Sequence, residues 1–379
     1  MSATHIKFDG EIQPIHYVHP YFASFSPIIP RHFISTLTEK GAVVLDPFCG
    51  SGTTLIEAKL LGRNSVGIDV NPLACLITKV KTRVLSTAQR NICLSLSTDV
   101  KKQIDSVIGQ SQLPTSKRTH ASFDPEIPEF RNRDFWFQRH VLTELGIIRA
   151  HINACPDEAC KDFLLVCLSA IIVRVSNQQH ETRYRRISKN VPQGTAARLF
   201  VEKVSSAIQA NSRYGRSATR SSCKVICSDL REHVPLEDDS VDLVVTSPPY
   251  LNAWDYHLYQ KFRLFWLDLD YTDFRKREIG AHLRHSYMRN SLEVYMSDMK
   301  NCLVQISRVM RTDAYCCVVL GESYVRGKAI DVPVHLVTAA RSIGLECVKT
   351  YDQPINGPHF SQPRSRSLKK ERIILLHKL

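Results

Sequence analysis

The sequence predicts an α/β protein: a doubly wound, mostly parallel seven-stranded sheet with an antiparallel edge strand, plus a helical insert subdomain. Three observations lead there. Short β-branched apolar runs alternate with helix-period segments, a glycine-rich turn follows the first run at once, and residues 86–222 are too long for a single crossover. The strand candidates are Ala42–Asp46, Ser65–Asp69, Lys224–Asp229, Val241–Thr246 and Ala314–Gly321. Near-continuous apolar runs of this length suit strands buried on both faces. Two further runs, Leu345–Tyr351 and Arg372–Leu376, are joined by a Pro- and Gly-containing loop with no room for a crossover helix, so an antiparallel pair at the sheet edge fits them.

The long stretch reads as helices. Val141, Leu145, Ile148 and Ile152 recur at helical spacing, as do Phe200, Val204 and Ile208. Phe163–Val175 is apolar nearly all round, as a helix central to a small core would be. The organisation expected is therefore residues 1–85 and 223–379 forming one domain, interrupted by the insert at 86–222. Within the insert only Ser111–Ala121 has linker composition.

Composition narrows the partners. With 43% hydrophobic and 23% charged residues the chain is ordinary for a soluble protein, and no apolar run approaches the ~20 residues of a membrane span. The opening MSATHIKFDG lacks the regions of a secretory signal, and the 12 cysteines lack paired metal-site spacing. Buried free thiols, no metal and a reducing cytoplasm are expected, with Cys227, Cys316 and Cys317 inside strand runs. The net charge of +13 favours a polyanion, and residues 86–222 carry +8 of it, 20 Lys and Arg against 12 Asp and Glu.

The turn after the first strand is Asp46-Pro47-Phe48-Cys49-Gly50-Ser51-Gly52-Thr53-Thr54. A strand, a Gly-x-Gly turn and a helix stopped by Gly62 bind a nucleotide-like cofactor at the carboxyl ends of such a sheet. The pattern is neither GxGxxG nor a P-loop, which disfavours dinucleotides and nucleoside triphosphates. Asp69, ending the second strand before Val70 and Asn71, is placed to accept from ribose hydroxyls. Asp229, ending the third before Leu230, is placed to accept from an adenine amino group.

The fourth strand runs into Thr246-Ser247-Pro248-Pro249-Tyr250. Two prolines cannot continue a central strand, so the chain turns there, beside the cofactor end. The loop presents the Ser247 hydroxyl, a backbone carbonyl and the flat face of Tyr250.

DPFCGSGT followed by TSPPY resembles the amino-methyltransferases of DNA, which make N4-methylcytosine or N6-methyladenine. The segment His19-Pro20-Tyr21-Phe22-Ala23-Ser24-Phe25-Ser26-Pro27 resembles their remaining cofactor motif, implying contacts from His19 and Phe25 to the methionine part. The resemblance covers residues 14–85 and 223–379 and is poor for the insert. It implies a Rossmann-like class I methyltransferase fold, S-adenosylmethionine as cofactor and double-stranded DNA as substrate. A cognate restriction or defence component is the further partner implied. The catalytic residues implied are Ser247, Pro248, Pro249 and Tyr250. Ser247 Oγ and the Pro248 carbonyl would accept the N–H bonds of an exocyclic amine, while Tyr250 stacks on a flipped-out base. Serine in the first position is that family's leaning toward cytosine N4 over adenine N6.

In that family the insert often reads the target. Arg183-Tyr184-Arg185-Arg186-Ile187-Ser188-Lys189 is its densest basic run, following Ser176-Asn177-Gln178-Gln179-His180, whose amides suit adenine. Arg183, Arg185, Arg186 and Lys189 are the DNA-contact candidates there. Arg275 and Arg277 belong to a second basic segment, Arg275–Arg289, which reads as a weakly anchored clamping loop. Arg131, Arg133, Trp136 and Arg139 form a third patch. Trp254 and Tyr256 lie near the base pocket by sequence, and Trp266 reads as core. An RNA base methyltransferase would use the same sheet, and a DNA-binding protein descended from an enzyme would show decayed motifs, whereas both motifs are intact.

Overall fold

The computed structural model describes residues 11–22, 26–111, 124–286, 288–354 and 370–379. Seven strands form the main sheet: β1 (Val43–Asp46), β2 (Asn64–Asp69), β3 (Cys223–Cys227), β4 (Val241–Thr246), β5 (Met310–Gly321), β6 (Leu345–Pro354) and β7 (Lys370–Lys378). Their order is β6-β7-β5-β4-β1-β2-β3. Neighbours from β3 to β5 pair parallel, whereas β7 is antiparallel to both β5 and β6. The antiparallel strand thus lies one position in from the edge. β7 pairs with the strand before it and inserts between β6 and β5.

Alternation along the strands explains why both faces are covered. Val44, Leu243, Val245, Cys317, Val319, Ile373 and Leu375 share one apolar cluster with Ile29, Phe33 and Ile34 of α1 (Ile28–Leu37) and Ala58 of α2 (Thr53–Leu60). Their sequence neighbours Leu45, Val244, Cys316, Val318, Leu320, Ile374 and Leu376 belong to the opposite face. There they pack with α8 (Ser291–Val309) and α9 (Val332–Arg341), through residues such as Leu303 and Leu336. The period of two in a strand sends successive side chains to opposite layers.

Between β2 and β3 come α3 (Pro72–Thr82), α4 (Thr87–Ser111), α5 (Arg139–Asn153), α6 (Glu158–Val175) and α7 (Thr195–Ser217). Asn71 caps α3, its side chain accepting from the Leu73 N–H at 3.0 Å, with Pro72 in the first turn. Asp157 caps α6 through the Cys160 N–H at 2.8 Å. Val141, Leu145, Ile148 and Ile152 are fully buried, as are Phe200 and Val204, with Ile208 close behind. α6 is buried on nearly every side, as its composition predicts. One apolar cluster unites these helices with Leu73 and Ile77 of α3 and with Phe262 and Trp266 beyond the fourth strand. A β-hairpin, Gln178–His180 with Arg183–Arg186, emerges directly after α6.

All twelve cysteines are free thiols; Cys316 and Cys317 are buried, but Cys227 is exposed because β3 is a sheet edge. Among the described residues no helix is long and apolar enough to cross a membrane. The linker-like Ser111–Ala121 lies almost wholly outside the described residues.

Candidate active site

The glycine turn is built as its sequence requires. Gly50 and Gly52 sit at φ +48° and +81°, where a side chain would be strained, and a Cβ on Gly52 would come within 2.8 Å of Thr78. Asp69 Oδ2 accepts from the Gly50 N–H at 2.8 Å and its Oδ1 from the Asn71 N–H at 2.9 Å, so this carboxylate locks the turn to the end of β2. Lys81, fully buried on α3, donates to the Ser51 carbonyl at 2.8 Å and to the His16 carbonyl at 3.1 Å. Burial pulls its ammonium down to about 7. Cys49, Thr53 and Thr54 are buried beneath the turn, Pro47 and Phe48 flank it, and Leu230 and Val70 pack into the adjoining clusters.

A hydrogen-bonded seam joins this turn to β4. Asp46 Oδ1 accepts from the Thr246 hydroxyl at 2.7 Å and from the Phe48 N–H at 3.2 Å, and the Thr54 hydroxyl donates to the Val245 carbonyl at 3.2 Å. The other oxygen of Asp46, Oδ2, is buried with no hydrogen-bond partner among the described residues. Burial pushes the Asp46 carboxyl up to about 6 despite those donors. Burial likewise raises Asp69 to about 6 against its N–H donors, with the Glu278 carboxylate adding to the rise. A buried carboxylate with one unpartnered oxygen, Asp46, and a half-buried one, Asp69, at adjacent strand ends suit a ligand that brings hydroxyls and positive charge. S-adenosylmethionine, with its ribose, sulfonium and ammonium, fits that donor and charge set.

The third expected acid differs. β3 ends at Cys227, so Asp229 lies two residues past the strand instead of closing it. Asp229 closes a tight turn, accepting from the Arg231 N–H at 3.0 Å, and its carboxylate forms a fork with the Arg231 guanidinium at 2.6–3.2 Å. Although burial alone would raise it, these bonds hold the Asp229 carboxyl below its usual range.

The N-terminal segment covers the turn. His19 is buried and pairs Nε2 with the Ser169 hydroxyl of α6 at 2.9 Å; burial lowers its basicity strongly, so the ring is neutral at pH 7. Its carbonyl accepts from the Tyr21 N–H at 2.9 Å, and the Tyr21 ring lies 3.5 Å from where a Gly50 Cβ would stand. His19 therefore ties the segment to the insert. Phe25 lies outside the described residues.

Thr246 closes β4, and the TSPPY loop follows. Tyr295 of α8 donates to the Pro249 carbonyl at 2.9 Å. Gly280, at φ +73°, abuts the Tyr250 carbonyl, where a Cβ would stand 2.7 Å away, and its own carbonyl accepts from the Asn252 N–H at 2.9 Å. The Tyr250 hydroxyl donates to Glu371 Oε1 at 2.7 Å. The segment expected to be a weakly anchored clamp is in fact anchored: Phe274, Glu278, Ile279, Ala281 and His285 are buried. Glu278 accepts from the Tyr256 N–H at 2.6 Å and pairs with the His257 ring. The segment thereby grips the TSPPY loop and the residues that follow it.

Beside that loop Phe22 stacks on Tyr256, with ring centroids 4.9 Å apart and planes 9° apart, and meets Trp254 at 5.3 Å and Tyr259 at 5.5 Å. Asn71 donates to Gln260 Oε1 at 2.7 Å, bringing this aromatic group to the Asp69 end of the sheet. Sequence reasoning missed Lys81, Gln260, Glu278 and Glu371. No motif marks them, since each acts across a contact formed only in the fold.

The three basic patches come together. Tyr184 of the hairpin packs on Trp136 with centroids 4.8 Å apart. Lys261 stands 5.9 Å from the Tyr184 ring and 5.4 Å from that of Tyr271, close to the charges of Arg275 and Arg131. Arg183, Arg185 and Arg275 are exposed, and their side chains make no hydrogen bond or ion pair among the described residues. The remaining candidates are committed elsewhere. Arg186 lies over the Phe135 ring at 4.4 Å and donates to the Phe135 carbonyl; Lys189 donates to the Val173 carbonyl at 2.8 Å, capping α6; Arg277 pairs with Asp273 at 2.9 Å. Asn177 and Gln178, expected to suit adenine, are buried, and Asn177 bonds the backbone of residues 135 and 189. Buried amides satisfy backbone groups before any external partner.

Comparison with known proteins agrees with this geometry. A family model described as DNA methylase matches residues 7–80. The Type II methyltransferase M.MjaII of Methanocaldococcus jannaschii is 22% identical over 81% of this chain and 72% of its own length. M.MvaI of Kocuria varians, also a Type II methyltransferase, is 23% identical over 85% and 79%. M.BglI of Bacillus subtilis is 46% identical across a shorter match, 13% of this chain and 14% of its own. Glycine turn, proline-rich tetrapeptide, strand order and these matches agree: the chain is similar to the Type II methyltransferases of DNA, and its residues 7–80 match the DNA methylase family.

Proposed function

We propose that this protein methylates the exocyclic N4 amine of a cytosine flipped out of duplex DNA, in the manner of a Type II modification enzyme. The observation that supports this reading is the hydrogen bond from Thr246, the residue before Ser247, to Asp46 at the start of the glycine turn. S-adenosylmethionine, when bound, supplies an electrophilic methyl group on a sulfonium. Asp69 and the Gly50–Gly52 turn would hold its ribose side, and Asp46 Oδ2 would face its positive charge.

An exocyclic amine is a poor nucleophile because its lone pair is delocalised into the ring. Ser247 Oγ and the Pro248 carbonyl accept its two N–H bonds and localise that pair, so catalysis is positioning plus electrostatic complementarity. Pro248 and Pro249 stiffen the loop, and Tyr295 and Gly280 hold its far side. The target amine is out of reach inside a duplex, so the base must leave the stack; Tyr250 gives it a face to rest on. Ser247 at the head of the tetrapeptide favours cytosine.

The surface where hairpin, residues 131–136 and residues 261–275 meet would grip the phosphates through Arg183, Arg185 and Arg275. Residues 86–222 would then serve as the target-reading subdomain inserted into the catalytic domain. A cognate nuclease reading the same site is the partner this class implies.

Incubating the purified protein with duplex DNA and S-adenosylmethionine, then digesting to nucleosides for mass spectrometry, tests the reading. N4-methylcytosine is the expected product. N6-methyladenine would overturn the choice of base, and a methylated base in RNA alone would overturn the substrate.

A further inference from the structure

Arg263 is almost wholly buried, 1% exposed, and the chemistry above makes no use of it. It sits in the short helix Lys261–Trp266, which follows the TSPPY loop in the chain but packs Phe262, Leu264 and Trp266 into the core of the insert. Its guanidinium donates through Nε to the Ser169 carbonyl of α6 at 3.0 Å and through Nη2 to Glu181 Oε2 at 2.5 Å. Glu181 opens the turn of the hairpin, between Gln178–His180 and Arg183–Arg186. A second bond runs the same way. Gln178, in the first strand of the hairpin, donates to the Tyr259 carbonyl at 3.4 Å, just ahead of that helix.

A buried ion pair does little for stability on balance, because desolvating both charges offsets most of their attraction. What it supplies is geometry. Both donors belong to one planar guanidinium, so a helix carbonyl and a hairpin carboxylate are held at a fixed separation. The hairpin carries the exposed Arg183 and Arg185, and the chain leading into Arg263 comes straight from the TSPPY loop. The pair therefore spans the surface proposed to grip phosphates and the loop proposed to receive the base. Phosphate contacts fix the register of a protein on the duplex, and that register decides which base lies opposite the pocket. We propose that Arg263 and Glu181 are positioning residues that set the gripping hairpin against the TSPPY loop and so select which base enters the site. The inference rests on the function proposed above.

Unmethylated genomic DNA treated with the full wild-type chain, then sequenced for methylated bases, maps the preferred site. Single-turnover rates are then compared between a duplex carrying that site and one differing by a single base pair. Replacing both partners by apolar residues, Arg263→Met with Glu181→Leu, leaves no buried charge, so thermal stability should stay close to wild type. The variant should nevertheless discriminate between the two duplexes about tenfold less well, the specificity of roughly one base pair. Its half-saturating DNA concentration should stay within about twofold of wild type, because Arg183 and Arg185 remain free to meet phosphates. Glu181→Gln, whose carbonyl still accepts from the guanidinium, should keep most of the discrimination. Glu181→Ala alone, at the partly exposed end of the pair, should lose it and serves if the double variant folds poorly.

Wild-type discrimination in the folded double variant or in Glu181→Ala would overturn the proposal while leaving the proposed function standing. Equal slowing on both duplexes would overturn it too, since that marks damage to the chemistry and not to the register. A wild-type chain with no site preference would leave no register to set and would count against it in the same way. A wild-type protein that methylates no DNA would overturn the function itself.

Discussion

The carboxyl end of the sheet, where we propose that the chemistry takes place, and the hairpin of the insert both collect charged and aromatic residues, but they use them in opposite ways. At the sheet end the polar groups are buried or half-buried and committed to one another across great sequence distance. Thr246 reaches Asp46, Tyr250 reaches Glu371 and Lys81 reaches Ser51. At the hairpin Arg183 and Arg185 are exposed, while their neighbours Arg186 and Lys189 hold the hairpin in place. Preorganised chemistry needs groups fixed before the substrate arrives, at a cost in burial; gripping a polyanion needs charge left in water. The same residue types therefore mean different things at the two places, and partner geometry tells them apart.

Four variants, and the pH dependence of the wild type, probe that contrast. Ser247→Ala should have the largest effect, cutting single-turnover transfer about a hundredfold to a thousandfold with cofactor affinity unchanged; stopped or quenched-flow assays read it. Next, Asp46→Asn should weaken S-adenosylmethionine binding about tenfold to a hundredfold by calorimetry, since a charge-assisted contact is lost.

The same acids give a pH dependence. Asp46 and Asp69 hold their protons to about 6, against an ordinary value of 3.8. A cationic ligand binds the ionised forms, so affinity should be full above about pH 7 and fall as pH drops through about 6. Because each acid binds its proton more tightly folded than unfolded, stability of the free protein should decline as pH rises from 3.8 to about 6 and stay level above. Asp46→Asn, which removes one buried charge, should raise the melting temperature of the free protein at pH 7.5 while impairing cofactor binding. A fall in both would mean that Asp46 is structural only.

A smaller effect belongs to the hairpin. Replacing Arg183 and Arg185 together with alanine should weaken DNA binding about tenfold and lower the salt slope by about two, measured by anisotropy from 50 to 200 mM salt. The smallest change is expected of Lys189→Ala, which should leave DNA affinity alone and cost about 1 kcal/mol of stability, because its ammonium caps α6.

Much of the fold was legible because its signals are local. Val44 and Leu45 diverge to opposite layers as strand periodicity requires, and Gly50 and Gly52 adopt the positive φ that their turn demands. The Ser247–Tyr250 loop was legible for the same reason: two prolines at a strand end leave few alternatives. What was not legible depends on contacts between distant segments. Asp229 resembles Asp46 and Asp69 in the sequence, and only its pairing with Arg231 two residues on sets it apart. Asn177 and Gln178 looked like base readers because amides suit bases, yet burial turns them to the backbone. Glu371 sits between two basic residues just ahead of an apolar strand run, with no motif around it, and only the antiparallel course of β7 brings it to Tyr250.

The division between a rigid chemical end and an exposed gripping surface is tested most directly by the single-turnover methylation rate against duplex DNA concentration, at saturating S-adenosylmethionine. The comparison is between wild type, Ser247→Ala and the Arg183/Arg185 double alanine variant. The double variant should need about tenfold more DNA to reach half its maximal rate and then match wild type, whereas Ser247→Ala should saturate at the wild-type concentration with a plateau lower by about a hundredfold or more. A double variant with a depressed plateau, or a Ser247→Ala enzyme whose defect disappears at high DNA, would contradict the assignment of chemistry to one region and grip to the other.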